Sequence, residues 1–130
     1  MIVCDASAVL DVLLRVGAAS DLDTLFFDSD ETLHAPHFLD VEVAQVLRRY
    51  AHAGIVAPDR CRVALLDLAD LPVTRYPHEF LVGRVWELRG NLTAYDAVYV
   101  ALAEALDARF VTRDRRIAAA PGHRARVILV

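Results

Sequence analysis

The chain has 130 residues, 56% of them hydrophobic, and a formal net charge of −4. That length suits a single domain, residues 1–130, with a substantial core, and the acidic balance argues against nonspecific coating of nucleic acid. All 14 basic residues are arginine, so chemistry that needs a lysine, such as a P-loop, a Schiff base or most phosphate receivers, is excluded.

Taken in chain order, Ile2–Cys4 reads as a short buried strand and residues 7–14 as the helix after it. A second helix is predicted over 21–28, around Leu22, Leu25 and Phe26, then a strand over 32–35 closed by Pro36. Residues 38–51 form an amphipathic helix, because Leu39, Val43, Val46, Leu47 and Tyr50 recur at three- and four-residue spacing. Pro58 opens a helix to about residue 68, and 72–76 is a candidate strand. A helix over 78–89 carries Phe80, Leu81, Val85 and Leu88 and is stopped by Gly90 and Asn91. A largely buried helix over 94–106 leads to a strand at Arg109–Thr112, a short helix near Ile117, a turn at Pro121 and Gly122, and a final strand over 127–130. Strands alternating with helices predict an α/β fold with a parallel sheet.

No apolar run approaches the roughly 20 residues that span a bilayer, and Asp5 interrupts any amino-terminal leader pattern; the chain is expected to be soluble and cytoplasmic. Cys4 and Cys61 are isolated, the five histidines show no metal-binding spacing, and the glycines form no dinucleotide signature. A G-x-S-x-G elbow is absent as well.

The acids carry the chemistry. Asp96 is the only charge in residues 92–103, L-T-A-Y-D-A-V-Y-V-A-L-A, and a buried carboxylate needs a proton, a basic partner or a metal ion. Asp5 follows the first strand and Asp114 lies just past Arg109–Thr112, so both emerge at carboxyl ends, where open α/β sheets bind ligands. Glu42 sits at the margin of an apolar helix face. Each acid also has a structural role open to it: Asp96 can complete a capping box with Thr93, Asp5 can cap a helix, Asp114 can serve a turn, and Glu42 can be a solvated helical residue. A cap can still turn free lone pairs toward a cation. Six arginines lie between residues 109 and 126, readable as a solvated turn or as a rim for phosphates beside the acids.

In order, D-A-S at Asp5 to Ser7, F-L-D-V-E-V at Glu42, L-T-A-Y-D-A-V-Y-V-A-L-A at Asp96 and F-V-T-R-D at Asp114 resemble the PIN-domain ribonucleases, and among them the VapC toxins of type II toxin–antitoxin systems. The resemblance runs the full length of the chain. It implies a PIN-like α/β/α sandwich with a central, mainly parallel sheet, and a Mg²⁺- or Mn²⁺-dependent endoribonuclease. It implies that Asp5, Glu42, Asp96 and Asp114 are catalytic and metal-binding, with Asp5 and Asp96 the main ligands and Ser7 and Thr112 in support. Arg113, Arg115 and Arg116 would bind substrate. Some members carry a further acid or Asn past the fourth position, whereas this chain has Arg115, Arg116 and Ile117. A cognate antitoxin, RNA, a homodimer and a higher hetero-oligomer with the antitoxin are the implied partners. Two other readings are an acidic Mg²⁺ phosphatase with Asp5 as nucleophile, against which Ser7 stands where such enzymes have a second Asp, and a catalytically inactive PIN-like binding module, against which the complete quartet counts.

Overall fold

In the computed structural model, residues 1–16, 20–27 and 30–130 are described. Five strands, β1 Ile2–Cys4, β2 Leu33–Pro36, β3 Val73–Tyr76, β4 Arg109–Thr112 and β5 Arg126–Leu129, form one sheet in the order β3-β2-β1-β4-β5. Every pairing is parallel. The central strand β1 is wholly buried, as expected of a strand covered on both faces, and it therefore reads as a continuous apolar run without alternation.

Between the strands lie α1 Ala6–Leu14, α2 Ser20–Phe27, α3 Phe38–His52, α4 Pro58–Asp70, α5 Val82–Glu87, α6 Ala94–Ala105 and α7 Arg115–Ala119. Right-handed crossovers with this strand order put α1 to α4 on one face of the sheet and α5 to α7 on the other. The core is filled from both layers, by Val9 and Leu13 of α1, Leu39, Val43 and Leu47 of α3, and Val100 and Leu102 of α6 around Ile2, Val3 and Phe110. α3 ends in a hydrogen-bonded loop: Gly54 takes a positive φ of 69°, its N–H bonds to Ala51 O (3.2 Å), and Ile55 N–H bonds to Tyr50 O (2.9 Å). Only a residue without Cβ adopts that conformation cheaply, so the helix stops there.

Most predicted elements are present with ends shifted by one or two residues. The helix expected over 78–89 is the exception: it is broken into a 3-10 turn, Glu79–Leu81, and the short α5. The Leu81 N–H bonds to His78 O (3.0 Å), the tighter i to i+3 pattern. Leu81 and Leu88 reach the core, but Phe80 stays 58% exposed, so the expected apolar face is incomplete and Gly83 weakens the helix further. The helix expected over 21–28 is α2; residue 28 lies outside the described residues. The last strand begins at Arg126 rather than at 127, because the ladder to β4 pairs Arg109 with Arg126 and Thr112 with Leu129. Among the described residues no helix is long and apolar enough to cross a membrane.

Candidate functional site

The order β3-β2-β1-β4-β5 reverses direction between β1 and β4, and a crevice forms at the carboxyl edge where such neighbours send their chains to opposite faces. Asp5 leaves β1 there and Asp114 follows β4 by two residues. Asp5 is 6% exposed. In an extended conformation it caps α1, one carboxylate oxygen accepting from Ala8 N (3.1 Å) and from the Ser7 hydroxyl (2.6 Å). The other oxygen accepts from the Thr112 hydroxyl (2.5 Å). Both hydroxyls are themselves held by the backbone just past β4, Ser7 Oγ accepting from Arg113 N (3.0 Å) and Thr112 Oγ1 from Asp114 N (3.0 Å). Ser7 and Thr112 thus tie Asp5 to the strand beside it. Despite these three donors, burial raises the Asp5 carboxyl above its usual range.

Asp96 stands in the first turn of α6, whose N-cap Thr93 accepts from the Asp96 backbone N–H (3.2 Å). Thr93 supplies the cap, and a hydrogen bond with it also favours the charged Asp96 carboxylate, in keeping with the expected pairing of the two residues. The proton affinity of Asp96 is raised, first by burial and then by the charges of Asp114 and Asp5. Glu42, on α3, is raised too, by burial above all and by the charges of Asp5 and Asp96. The charge of Asp5 thus reaches both Glu42 and Asp96, and that of Asp114 reaches Asp96. Asp114 differs: its carboxylate caps α7 at Arg116 N (2.8 Å) and is gripped by the Arg116 guanidinium (2.6 and 3.1 Å), which holds it below the ordinary carboxylate range.

Among the described residues no three acids, histidines or cysteines are already gathered around a single metal position. The reasons are local, since Asp114 is turned onto Arg116 and Glu42 onto the Tyr99 hydroxyl. The donor set nevertheless suits a hard divalent cation: the oxygens are carboxylate oxygens, and three of the four groups hold protons more tightly than free acids, chiefly because they are buried. Cys4 does not compete, as burial pushes its thiol up to about 12. Of the three arginines singled out from sequence, Arg113 pairs with Asp11 (2.6 Å), Arg116 with Asp114, and Arg115 is exposed.

Sequence reasoning missed Tyr99. It is 1% exposed, lies one helical turn after Asp96 on the same face of α6, and donates to a Glu42 carboxylate oxygen. Burial and the Glu42 charge raise its own proton affinity, so the proton stays on the phenol and Glu42 accepts. The three-residue spacing from Asp96 was the available signal. Also missed was a groove of about 490 Å³ beside the acids, which both Glu42 and Asp96 line.

The PIN domain family model matches residues 2–122. The chain is 49% identical over 117 residues to the VapC ribonuclease Mb0985 of Mycobacterium bovis, covering 90% of this chain and 88% of that protein. It is 46% identical over 122 residues to the ribonuclease VapC1 of Mycobacterium tuberculosis, covering 92% and 90%. In structure it is similar to a chain of a toxin–antitoxin complex from Klebsiella pneumoniae, with a TM-score of 0.65, 18% identity and coverage of 98% and 96%. A parallel five-stranded sheet with acids at its switch point, a family match over nearly the whole chain and relatives at almost half identity together assign the chain to the PIN-domain family, among the VapC ribonucleases.

Proposed function

We propose that this VapC-family ribonuclease cuts RNA with a divalent cation held by Asp5 and Asp96, with Glu42 and Asp114 completing the set. The observation that carries the reading is the set of carboxylates at this edge of the sheet: burial above all raises the proton affinity of Asp5, Glu42 and Asp96, and the charges of neighbouring acids add to it at Glu42 and Asp96. Hard oxygen donors favour Mg²⁺ or Mn²⁺. When bound, the cation polarises the scissile phosphate and supplies hydroxide from water. Asp5, clamped by Ser7 and Thr112, gives a rigid ligand; Glu42, oriented by Tyr99, aligns the incoming water. Arg116 lets go of Asp114 and, with Arg113 and Arg115, takes the flanking phosphates. The Arg116 side chain is 88% exposed, and exposed pairs of this kind are weak, so the exchange is easy. Neither rival retains support: the relatives are ribonucleases, which counts against a phosphatase, and the intact quartet counts against an inactive module.

The natural partner in this reading is an antitoxin, because the relatives are VapC proteins and the fold is shared with a chain of a toxin–antitoxin complex. An antitoxin arginine entering the acidic crevice would pair with Asp5 and Asp96 and displace the cation. The exposed Phe80, Val82 and Trp86 around α5 suit a homodimer and a larger assembly with the antitoxin. The decisive experiment incubates purified protein with total RNA: cleavage should appear with Mg²⁺ or Mn²⁺, stop with EDTA, and be suppressed by the co-expressed antitoxin. No cleavage with either metal would overturn the reading.

Tyr99→Phe should lower kcat about tenfold with little change in KM, since it removes one hydroxyl that orients Glu42 and leaves the ring in place. Steady-state kinetics against wild type check this. A change confined to thermal stability would make Tyr99 a packing residue only.

A further inference from the structure

Tyr95 is an aromatic side chain that the core does not explain. It is 64% exposed, immediately precedes Asp96, and stacks on Phe38 with ring centroids 5.4 Å apart and planes 20° from parallel. Phe38 rests in turn on buried Tyr99 (6.4 Å, 59°), and Tyr99 stacks on Phe110 of β4 (6.2 Å, 9°). The rings therefore run from the central sheet to the surface, and they hold Tyr95 in a fixed orientation beside the acids. Phe38 covers one face of the Tyr95 ring, and the rest of the ring lies open at the groove that Glu42 and Asp96 line. Gln45 and Arg49 continue that groove along α3, on the same helical face as Glu42. Arg49 is exposed and makes no ion pair among the described residues.

We propose that this groove is a nucleotide subsite in which one unpaired base stacks on Tyr95 while Arg49 meets the adjoining phosphate. Such a seat takes a base with one face uncovered. A base in an A-form duplex has both faces covered by its neighbours and cannot reach a fixed ring. Stacking accepts every base, and Gln45 is the side chain placed to prefer one through its amide. The inference rests on the nuclease reading of the neighbouring acids and adds the side chains that seat a base beside them.

The test compares wild type, Tyr95→Ala and Tyr95→Phe in EDTA. Each is titrated with a fluorescein-labelled random-sequence 12-nucleotide RNA and with a 12-base-pair RNA duplex. Tyr95→Ala should bind the single strand about tenfold to a hundredfold more weakly, with duplex binding unchanged, and Tyr95→Phe should keep wild-type affinity because the stack is retained. Thermal melting confirms that the exposed substitution leaves the fold intact. Equal single-strand affinity in Tyr95→Ala overturns the proposal, as does a wild type that binds the duplex as tightly as the single strand. So does a changed molar mass with unchanged RNA affinity, which would make Tyr95 part of a protein interface. Metal-dependent cleavage measured on the same single strand separates the two claims: binding that depends on Tyr95 without cleavage removes the nuclease reading and leaves the subsite, whereas cleavage indifferent to Tyr95 does the reverse.

Discussion

Asp96→Asn is expected to lower RNA cleavage by roughly 10²–10³-fold while the protein stays folded. The substitution preserves shape and keeps the Thr93 cap, because that bond uses the Asp96 backbone N–H and an amide oxygen can accept from Thr93 as the carboxylate does. What it removes is one charge aimed at the cation and at the charge that develops on the phosphate, a loss of the size found for single electrostatic groups in active sites. Asp5→Asn should behave alike. Asp107→Asn is the control, since its side chain is 95% exposed and Asn tolerates the positive φ of 48° found there.

The same variant makes a statement about stability in EDTA. The Asp96 pKa is raised by folding, so the folded state binds that proton more tightly than the unfolded chain. Its stabilising contribution is complete below the unfolded value of about 3.9 and is lost as pH rises through the folded value. At neutral pH the wild type has lost it, and Asn, which never ionises, has not. Asp96→Asn should therefore melt higher than wild type at pH 7, and the gap should close toward pH 4; melting curves at both pH values decide. An active Asp96→Asn enzyme would remove the metal-site assignment, and a variant that melts lower at pH 7 would show that folding does not raise the Asp96 pKa.

Replacing Arg113, Arg115 and Arg116 together by Gln should weaken single-stranded RNA binding on the order of a hundredfold at about 0.1 M salt. It should also make the slope of log K against log salt shallower by about 2, as expected when three phosphate contacts and their released counterions are lost. Two of these arginines rest on carboxylates without RNA, Arg113 on Asp11 (2.6 Å) and Arg116 on Asp114 (2.6 Å). Those pairs are exposed enough to be worth little, so phosphate can replace the acid. Loss of Arg116 also leaves Asp114 without its cation partner, and metal affinity should hold or rise. An unchanged salt slope would reduce the three arginines to a solvated turn.

The sequence alone determined the α/β class, the parallel sheet and the positions of the acids. Buried strands and an apolar helix must announce themselves by composition, and a lone charge such as Asp96 in that setting, or Asp5 at a strand end, stands out against it. Local signals were weaker where burial is partial: the segment after β3 has apolar residues enough for a full helix, yet with Phe80 left in solvent and Gly83 inside, it breaks into a 3-10 turn and a short α5. Only the tertiary structure decided what each acid touches. The Tyr99 bond to Glu42, the Thr112 clamp on Asp5 and the stack of Tyr95 on Phe38 join residues 57, 107 and 57 positions apart. Such contacts depend on where α3, α6 and β4 cross at the sheet edge, and no periodicity within one segment encodes that crossing.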